Sequence, residues 1–159
     1  MSDALRILSP GPCTTVQDLG RYHAMHLGVP VSGVMDDYAA TFANRLVGND
    51  PGAAVLEMTM VGASFTALAA CDIAITGAAM RPRLGGRPVE QWVSLPLAPG
   101  DVVELGLAEN GCRAYLAIGG GFDVAPLLGS RSTYLGGKCG GYQGRMLAAG
   151  DVLRRLEAP

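Results

Sequence analysis

Apolar residues recur along this chain in two rhythms. Between residues 36 and 47 they keep a helical period, with Ala39, Phe42, Ala43, Leu46 and Val47 on one face. Asp36 or Asp37 can cap the exposed N–H groups at the start, where a carboxylate also suits the positive dipole end. Arg45 favours the last turn, Gly48 suits the position after the helix, and Pro51 prevents resumption. The spacing predicts one principal helix over about 36–47. Asn44, two residues from Phe42, is expected to project away from the centre of the apolar stripe.

Elsewhere the rhythm is that of strands, in short runs broken by glycine and proline. Residues 5–8 form an apolar run stopped by Ser9-Pro10-Gly11-Pro12, and residues 13–17 can form a second strand. Asp18-Leu19-Gly20-Arg21 turns the chain, and residues 27–31 read as a short extended piece in which Pro30 keeps Val29 out of helix. Runs at 55–60 and 64–68 predict a hairpin across Val61-Gly62-Ala63. Runs at 80–84 and 87–93 predict another across Gly85-Gly86, and runs at 102–107 and 112–118 a third across the turn ending in Asn110-Gly111. Further strands are expected at 72–76, 132–135 and 152–156. The stretch Leu97-Ala98-Pro99-Gly100-Asp101-Val102 echoes Leu147-Ala148-Ala149-Gly150-Asp151-Val152, which reads as one turn chemistry used twice. Many short strands with one good helix indicate mainly-β architecture. Closure into a barrel would remove edges that this chain lacks the charge to protect.

Composition sharpens that picture. The chain has 159 residues, enough for one domain with a real core. Only 16% are charged and 23 are glycine, which fits a turn-rich β protein. Such low charge fits either a surface meant to be covered or a domain with few long loops. Net charge is −2 and Lys138 is the sole lysine, so the basic face that nucleic-acid binding requires is missing. No apolar run approaches the ~18 residues of a membrane span. The first residues have no basic region followed by an apolar one, so no signal peptide is expected. Cys13, Cys71, Cys112 and Cys139 are scattered and form no C-x-x-C pair, so reduced, mostly core thiols in a cytoplasmic protein are expected.

Candidate chemistry concentrates between Asp18 and Asn49. Gly119-Gly120-Gly121 is no dinucleotide fingerprint, because Pro126 blocks an early helix. Those glycines can form an anion-binding nest or simply tight turns. His23 and His26 have no third ligand at a telling spacing, so no metal site is expected. Arg21 can clamp a carboxylate or phosphate. Ser32, Gly33 and the helix start can offer N–H groups to an anion. Asp36 can act as a base or orient a substrate N–H, with Asn44 beside it; equally, Asp36 can be a helix cap and Asn44 a solvated helix residue. Glu57 and Arg131 are further polar candidates, either substrate-binding or structural.

The ordered set Asp18-Leu19-Gly20-Arg21, Leu27-Gly28-Val29-Pro30, Ser32-Gly33, Met35-Asp36, Ala43-Asn44-Arg45-Leu46-Val47-Gly48-Asn49 and Leu56-Glu57 resembles the biotin-dependent carboxyltransferase/KipA-like family. That family includes the 5-oxoprolinase C-subunit and allophanate hydrolase subunit 2. The later runs Leu128-Gly129-Ser130-Arg131-Ser132-Thr133-Tyr134 and Gly140-Gly141-Tyr142-Gln143-Gly144-Arg145 resemble it too. The resemblance implies a cyclophilin-like β-barrel, with residues 1–159 a single domain corresponding to the N-terminal half of a longer family domain. It implies a subunit-B-like (KipI-like) partner, possibly a C-terminal half as well, and ATP or carboxybiotin used by the complex rather than bound by a motif here. The implied function is a component of an ATP-dependent amidohydrolase or carboxyltransferase complex, most like the 5-oxoprolinase C-subunit, acting on 5-oxoproline or a urea/allophanate-type amide. The alternative is a non-catalytic KipA-like regulatory module. On this reading Asp36 and Asn44 are catalytic, and Arg21, Ser32, Gly33, Glu57 and Arg131 bind substrate. Tyr22-His23-Ala24-Met25-His26 is bulkier than the glycine-containing turn expected after the arginine.

Overall fold

The computed structural model describes residues 1–156. The strands are β1 (Ser2–Ser9), β2 (Thr14–Gln17), β3 (Val55–Thr59), β4 (Ser64–Ala67), β5 (Cys71–Ala79), β6 (Arg83–Leu84), β7 (Arg87–Pro88), β8 (Ser94–Leu97), β9 (Val102–Glu104), β10 (Asn110–Ile118) and β11 (Val152–Arg155). One α-helix, α1, spans Asp37–Leu46. The barrel is built as two antiparallel sheets, ordered β11-β1-β4-β9-β6-β7 and β2-β3-β10-β5-β8. This is the mainly-β, one-helix architecture that the sequence implies. Among the described residues, no helix is long and apolar enough to cross a membrane.

Strand alternation decides which residues meet. In β10, Ala114, Leu116 and Ile118 point into the main core with Leu5, Ile7, Phe65 and Val103 of the opposite sheet. Tyr115 and Ala117 point the other way, toward Ala39, Ala40 and Ala43 of α1. The five-stranded sheet is therefore covered on both faces. Alanines let α1 sit close but bury little apolar area, at about 0.8 kcal/mol per CH₂.

Polar side chains complete the attachment. Gln17 Oε1 accepts from the Gly33 N–H at 3.1 Å, and Glu57 Oε2 accepts from the Met35 N–H at 2.7 Å. Tyr115 Oη accepts from the Asp36 N–H at 2.8 Å, and Thr76 Oγ1 donates to the Ala39 carbonyl at 2.7 Å. These four groups lie on β2, β3, β10 and β5. Together they grip the backbone from Gly33 to Ala39, and so fix where the helix begins.

Several local expectations are corrected. The runs after residue 55 do not form a hairpin: β3 pairs with β2 and β10, whereas β4 pairs with β1 and β9. The chain turns a corner between sheets at Met60, whose φ is 66°, and Gly62 lies against Leu105. β9 and β10 likewise belong to different sheets. The hairpin across Gly85-Gly86 forms, although it is only two residue pairs long. Residues 132–135 form no strand; Tyr134 makes an isolated bridge to Cys139. Tyr22–Leu27, before the piece expected to be extended, forms a 3-10 helix that Gly28 ends in the left-handed region, and residues 29–31 follow outside any helix or strand. β8, which the sequence pattern does not reveal, contains Pro96 and sits at a sheet edge, where a missing N–H is tolerated. Of the cysteines only Cys71 is buried, not most of them.

The echoed turns are the same structure twice. Asp101 Oδ2 accepts from Ala98 N at 2.8 Å, and Asp151 Oδ2 accepts from Ala148 N at 2.7 Å. Gly100 and Gly150 both take φ 91°.

Candidate functional site

Asp36 caps α1 as the sequence suggests. Its Oδ1 accepts from the Ala39 N–H at 3.0 Å, and the residue is exposed. Its Oδ2 has no partner among the described residues. The cap satisfies one of the open N–H groups of the helix start with a negative charge.

Two strands behind the cap supply what the sequence pattern does not show. Tyr115 is fully buried and donates its hydroxyl to Glu57 Oε2 at 2.9 Å. The two residues are register partners on β10 and β3. Burial, with the Glu57 charge adding to it, pushes the Tyr115 phenol well above its ordinary value and keeps it a neutral donor. Glu57 Oε1 faces Arg113 Nε at 3.5 Å, so the carboxylate also steadies a guanidinium. The Arg113 Nε is buried without a hydrogen-bond acceptor, and its terminal nitrogens have none among the described residues.

Arg113 and Asp36 line one cleft of about 400 Å³, together with Met35, Gly77, Ala78, Trp92, Asn110, Gly111 and Cys112. Its floor is irregular by construction. The β10–β5 register shifts between Asn110 and Ala114. Gly77 takes φ 82° there, and a Cβ on it would come within 2.5 Å of the Arg113 carbonyl, so only glycine lets β5 pass. Trp92 forms a wall and contacts Phe42 and Tyr38 at ring-centroid distances of 5.6 and 6.4 Å. Phe42 thus packs at the half-buried edge of α1 rather than in its buried stripe.

The other predicted residues lie elsewhere. Arg21 is buried, 1% exposed, with Nη2 donating to the Ser132 carbonyl and Nε to the Leu127 carbonyl at 3.5 Å. It is not an open anion clamp. Asn44 is also 1% exposed, not a solvated helix residue. Its Nδ2 donates to the Ala53 carbonyl at 2.8 Å and its Oδ1 accepts from Asn49 Nδ2 at 3.0 Å. Asn44 and Asp36 lie eight residues apart along one helix axis, about 12 Å, so the structure does not bring them together. Gly33 gives its N–H to Gln17, which leaves that amide unavailable to an anion. Ser32 takes φ 55° in the same turn, where Gly33 packs within van der Waals reach of Gly20. Arg131 donates Nε to the Val124 carbonyl at 3.1 Å and lines a separate cleft with Asn49, Gly120, Gly121 and Phe122. Of the predicted set, Asp36 and Glu57 share a network; Arg21, Asn44 and Arg131 do not join it.

Asp18 organises the adjoining loops. Its Oδ1 accepts from Ser130 and Ser132 hydroxyls, each at 2.6 Å, and from the Gly20 N–H at 2.8 Å. Burial raises the Asp18 pKa, but the hydrogen bonds from Ser130, Ser132, Arg131 and Gly20 outweigh it and hold the carboxyl below its ordinary value.

The residues do not fit a phosphate group at the triple glycine. Gly119 N donates to the Asp72 carbonyl, Gly120 N to Asn49 Oδ1 and Gly121 N to the Ile118 carbonyl, so that turn is fully consumed internally. The ATP implied by the resemblance has no cradle there.

A two-sheet antiparallel β scaffold with one principal helix packed on it defines the class of domain. The family model for the carboxyltransferase domain, subdomain A and B, matches residues 27–159, and the chain belongs to that family. It is 46% identical over 151 residues to a urea amidolyase of Lachancea kluyveri, covering 94% of this chain and 8% of the relative. It is 40% identical to the 5-oxoprolinase C-subunit of Escherichia coli, covering 94% of this chain and 48% of the relative. Its fold superimposes on Kluyveromyces lactis urea amidolyase with a TM-score of 0.95 at 39% identity, over 100% of this chain and 10% of that one. The chain thus spans about half of one type of relative and a small part of the other.

Proposed function

We propose that this chain works as part of an ATP-dependent complex of the 5-oxoprolinase or urea carboxylase type, most like the 5-oxoprolinase C-subunit, and holds a lactam or amide substrate in the Asp36–Arg113 cleft. One observation carries this reading: the Tyr115–Glu57 pair anchors a helix start whose exposed, half-free Asp36 carboxylate lines one cleft with Arg113, a guanidinium that Glu57 steadies at Nε and whose terminal nitrogens have no acceptor among the described residues. Asp36 orients the substrate or takes its proton, and Glu57 positions the cleft from behind. A subunit-B-like (KipI-like) protein completes the assembly, and ATP or carboxybiotin is handled by the rest of the complex.

The test is turnover after reconstitution with a subunit-B-like partner. The expected result is ATP-dependent opening of 5-oxoproline, or carboxylation of urea with a biotinylated carboxylase. Glu57→Gln is expected to reduce it at least about tenfold, the scale of one charge-assisted hydrogen bond. A correctly assembled complex that turns over neither substrate contradicts the reading.

A second reading, a non-catalytic KipA-like module, is favoured by one feature. Met35 and Tyr38 are 70% and 68% exposed beside Phe42 and Trp92, forming an apolar, largely aromatic face suited to a protein partner. Assembly without turnover supports this alternative.

A further inference from the structure

Arg21 leaves a buried positive charge without a counter-charge. It is 1% exposed, and its Nη1 is buried with no acceptor among the described residues. Its hydrogen bonds go to the Leu127 and Ser132 carbonyls, which are neutral. Asp18, three residues before it, spends its carboxylate on Ser130, Ser132 and the N–H groups of Gly20 and Arg131. A buried guanidinium with no ion partner is costly unless an opposite charge comes near it.

A cleft of about 410 Å³ lies against this guanidinium. Two of its lining residues touch Arg21. The Leu127 carbonyl accepts from Nε, and Gly140 packs so closely that a Cβ on it would come within 2.8 Å of Nη2. Only glycine lets the loop backbone lie on the fork. The remaining wall is built of donors. Gly140, Gly141 and Gln143 line the cleft, and their N–H groups have no acceptor among the described residues. Lys138 lines it too and makes no ion pair among those residues, and no acidic side chain lines the cleft. The loop is held in an unusual shape. Lys138, Gly140, Gly141, Gln143 and Gly144 take φ of 50°, 68°, 53°, 56° and 68°. Lysine and glutamine seldom adopt such angles, and side chains held there cluster at ligand clamps. Successive N–H groups in turns of this kind form the concavities that bind anions. Water can satisfy the amides, but it leaves the guanidinium without a counter-charge. Two positive charges and three amide donors match a dianion with several oxygens better than a singly charged carboxylate.

We infer that the loop 138–144 binds a small, doubly charged oxyanion of the phosphate class, free or as the terminal phosphoryl group of a larger molecule. Lys138 and the N–H groups of Gly140, Gly141 and Gln143 contact it, and Arg21 supplies charge from beneath the loop. The site shares no lining residue with the Asp36–Arg113 cleft and does not rest on the proposed function.

Binding to the full chain tests this. Phosphate, methyl phosphate and acetate are titrated at constant ionic strength while the amide resonances of Gly140, Gly141 and Gln143 are followed by NMR. Phosphate is expected to shift these amides saturably and to bind at least about tenfold more tightly than acetate. Methyl phosphate distinguishes the source: binding within a few-fold of phosphate assigns the site to a phosphoryl group on a larger molecule, and exclusion assigns it to free phosphate. Both results support the site. Lys138→Asn removes the charge and suits a φ of 50°, so it is expected to weaken phosphate at least about tenfold with an unchanged melting temperature. No saturable shift at the three amides, acetate binding as tightly as phosphate, or full phosphate affinity in Lys138→Asn would each overturn the inference. The anion comparison uses the wild-type chain, so a misfolded variant does not blunt it.

Discussion

Tyr115 Oη donates to Glu57 Oε2 at 2.9 Å and accepts from the Asp36 N–H at 2.8 Å, so a single phenol joins the centre of the sheet to the first residue of the helix cap. Replacing it with phenylalanine leaves the shape and strips both contacts. Tyr115→Phe is expected to cost about 1–3 kcal/mol in chemical denaturation, because the part-buried Asp36 N–H loses its acceptor and Glu57 Oε2 keeps only the Met35 N–H.

The same phenol gives the protein an alkaline limit. Its folded-state pKa lies above the ordinary value of 10.0, from burial first and the Glu57 charge second. The folded state therefore holds the proton more tightly than the unfolded state. This stabilisation is complete below about pH 10 and declines as pH rises beyond it. Denaturation curves from pH 9 upward are expected to show the decline in the wild type and a shallower one in Tyr115→Phe.

Asp18 sets the acid limb with the opposite sign. Its folded-state pKa lies below the ordinary 3.8. Its contribution is present above that value and fades as pH falls through the lower, folded one. Asp18→Asn, which disturbs the Ser130, Ser132, Gly20 and Arg131 contacts together, is expected to destabilise the protein at neutral pH by about 2 kcal/mol and to flatten the loss of stability below pH 4.

Asn44 and Arg21 are expected to matter for stability rather than chemistry. Asn44→Ala removes the side-chain donor to the Ala53 carbonyl and one of the contacts of Asn49, and is expected to cost about 1–3 kcal/mol, with turnover per folded molecule unchanged. Arg21→Ala empties a fully buried site and frees the Leu127 and Ser132 carbonyls. A loss above about 3 kcal/mol is expected, with faster hydrogen exchange across residues 127–132.

The helix is legible in the sequence because its signals are local: the Asp36 cap, the alanine stripe and Gly48 lie within thirteen consecutive residues. Asp36 is legible by the same logic. The Arg113 fork is not, because its meaning depends on strand partners far along the chain. Tyr115 meets Asp36 across 79 positions and Glu57 across 58. One trace is present: Arg113 and Tyr115 stand two apart in an otherwise apolar run, which places two polar groups on one face of a strand. Arg21 misleads for the converse reason. Arginine is seldom buried without a carboxylate, and only the packed structure shows its Nε and Nη2 bound to two carbonyls. The false hairpin across Val61-Gly62-Ala63 has the same origin, since a glycine that turns a corner between sheets looks locally like one that reverses a strand.

The most direct test of the cleft's role is kcat/KM of the reconstituted complex carrying Asp36→Asn. Asparagine caps a helix about as well as aspartate, so the fold and assembly are preserved while the free carboxylate oxygen is lost. A fall of about 100-fold or more with an unchanged melting temperature is the predicted result. Wild-type turnover in that variant would contradict the account.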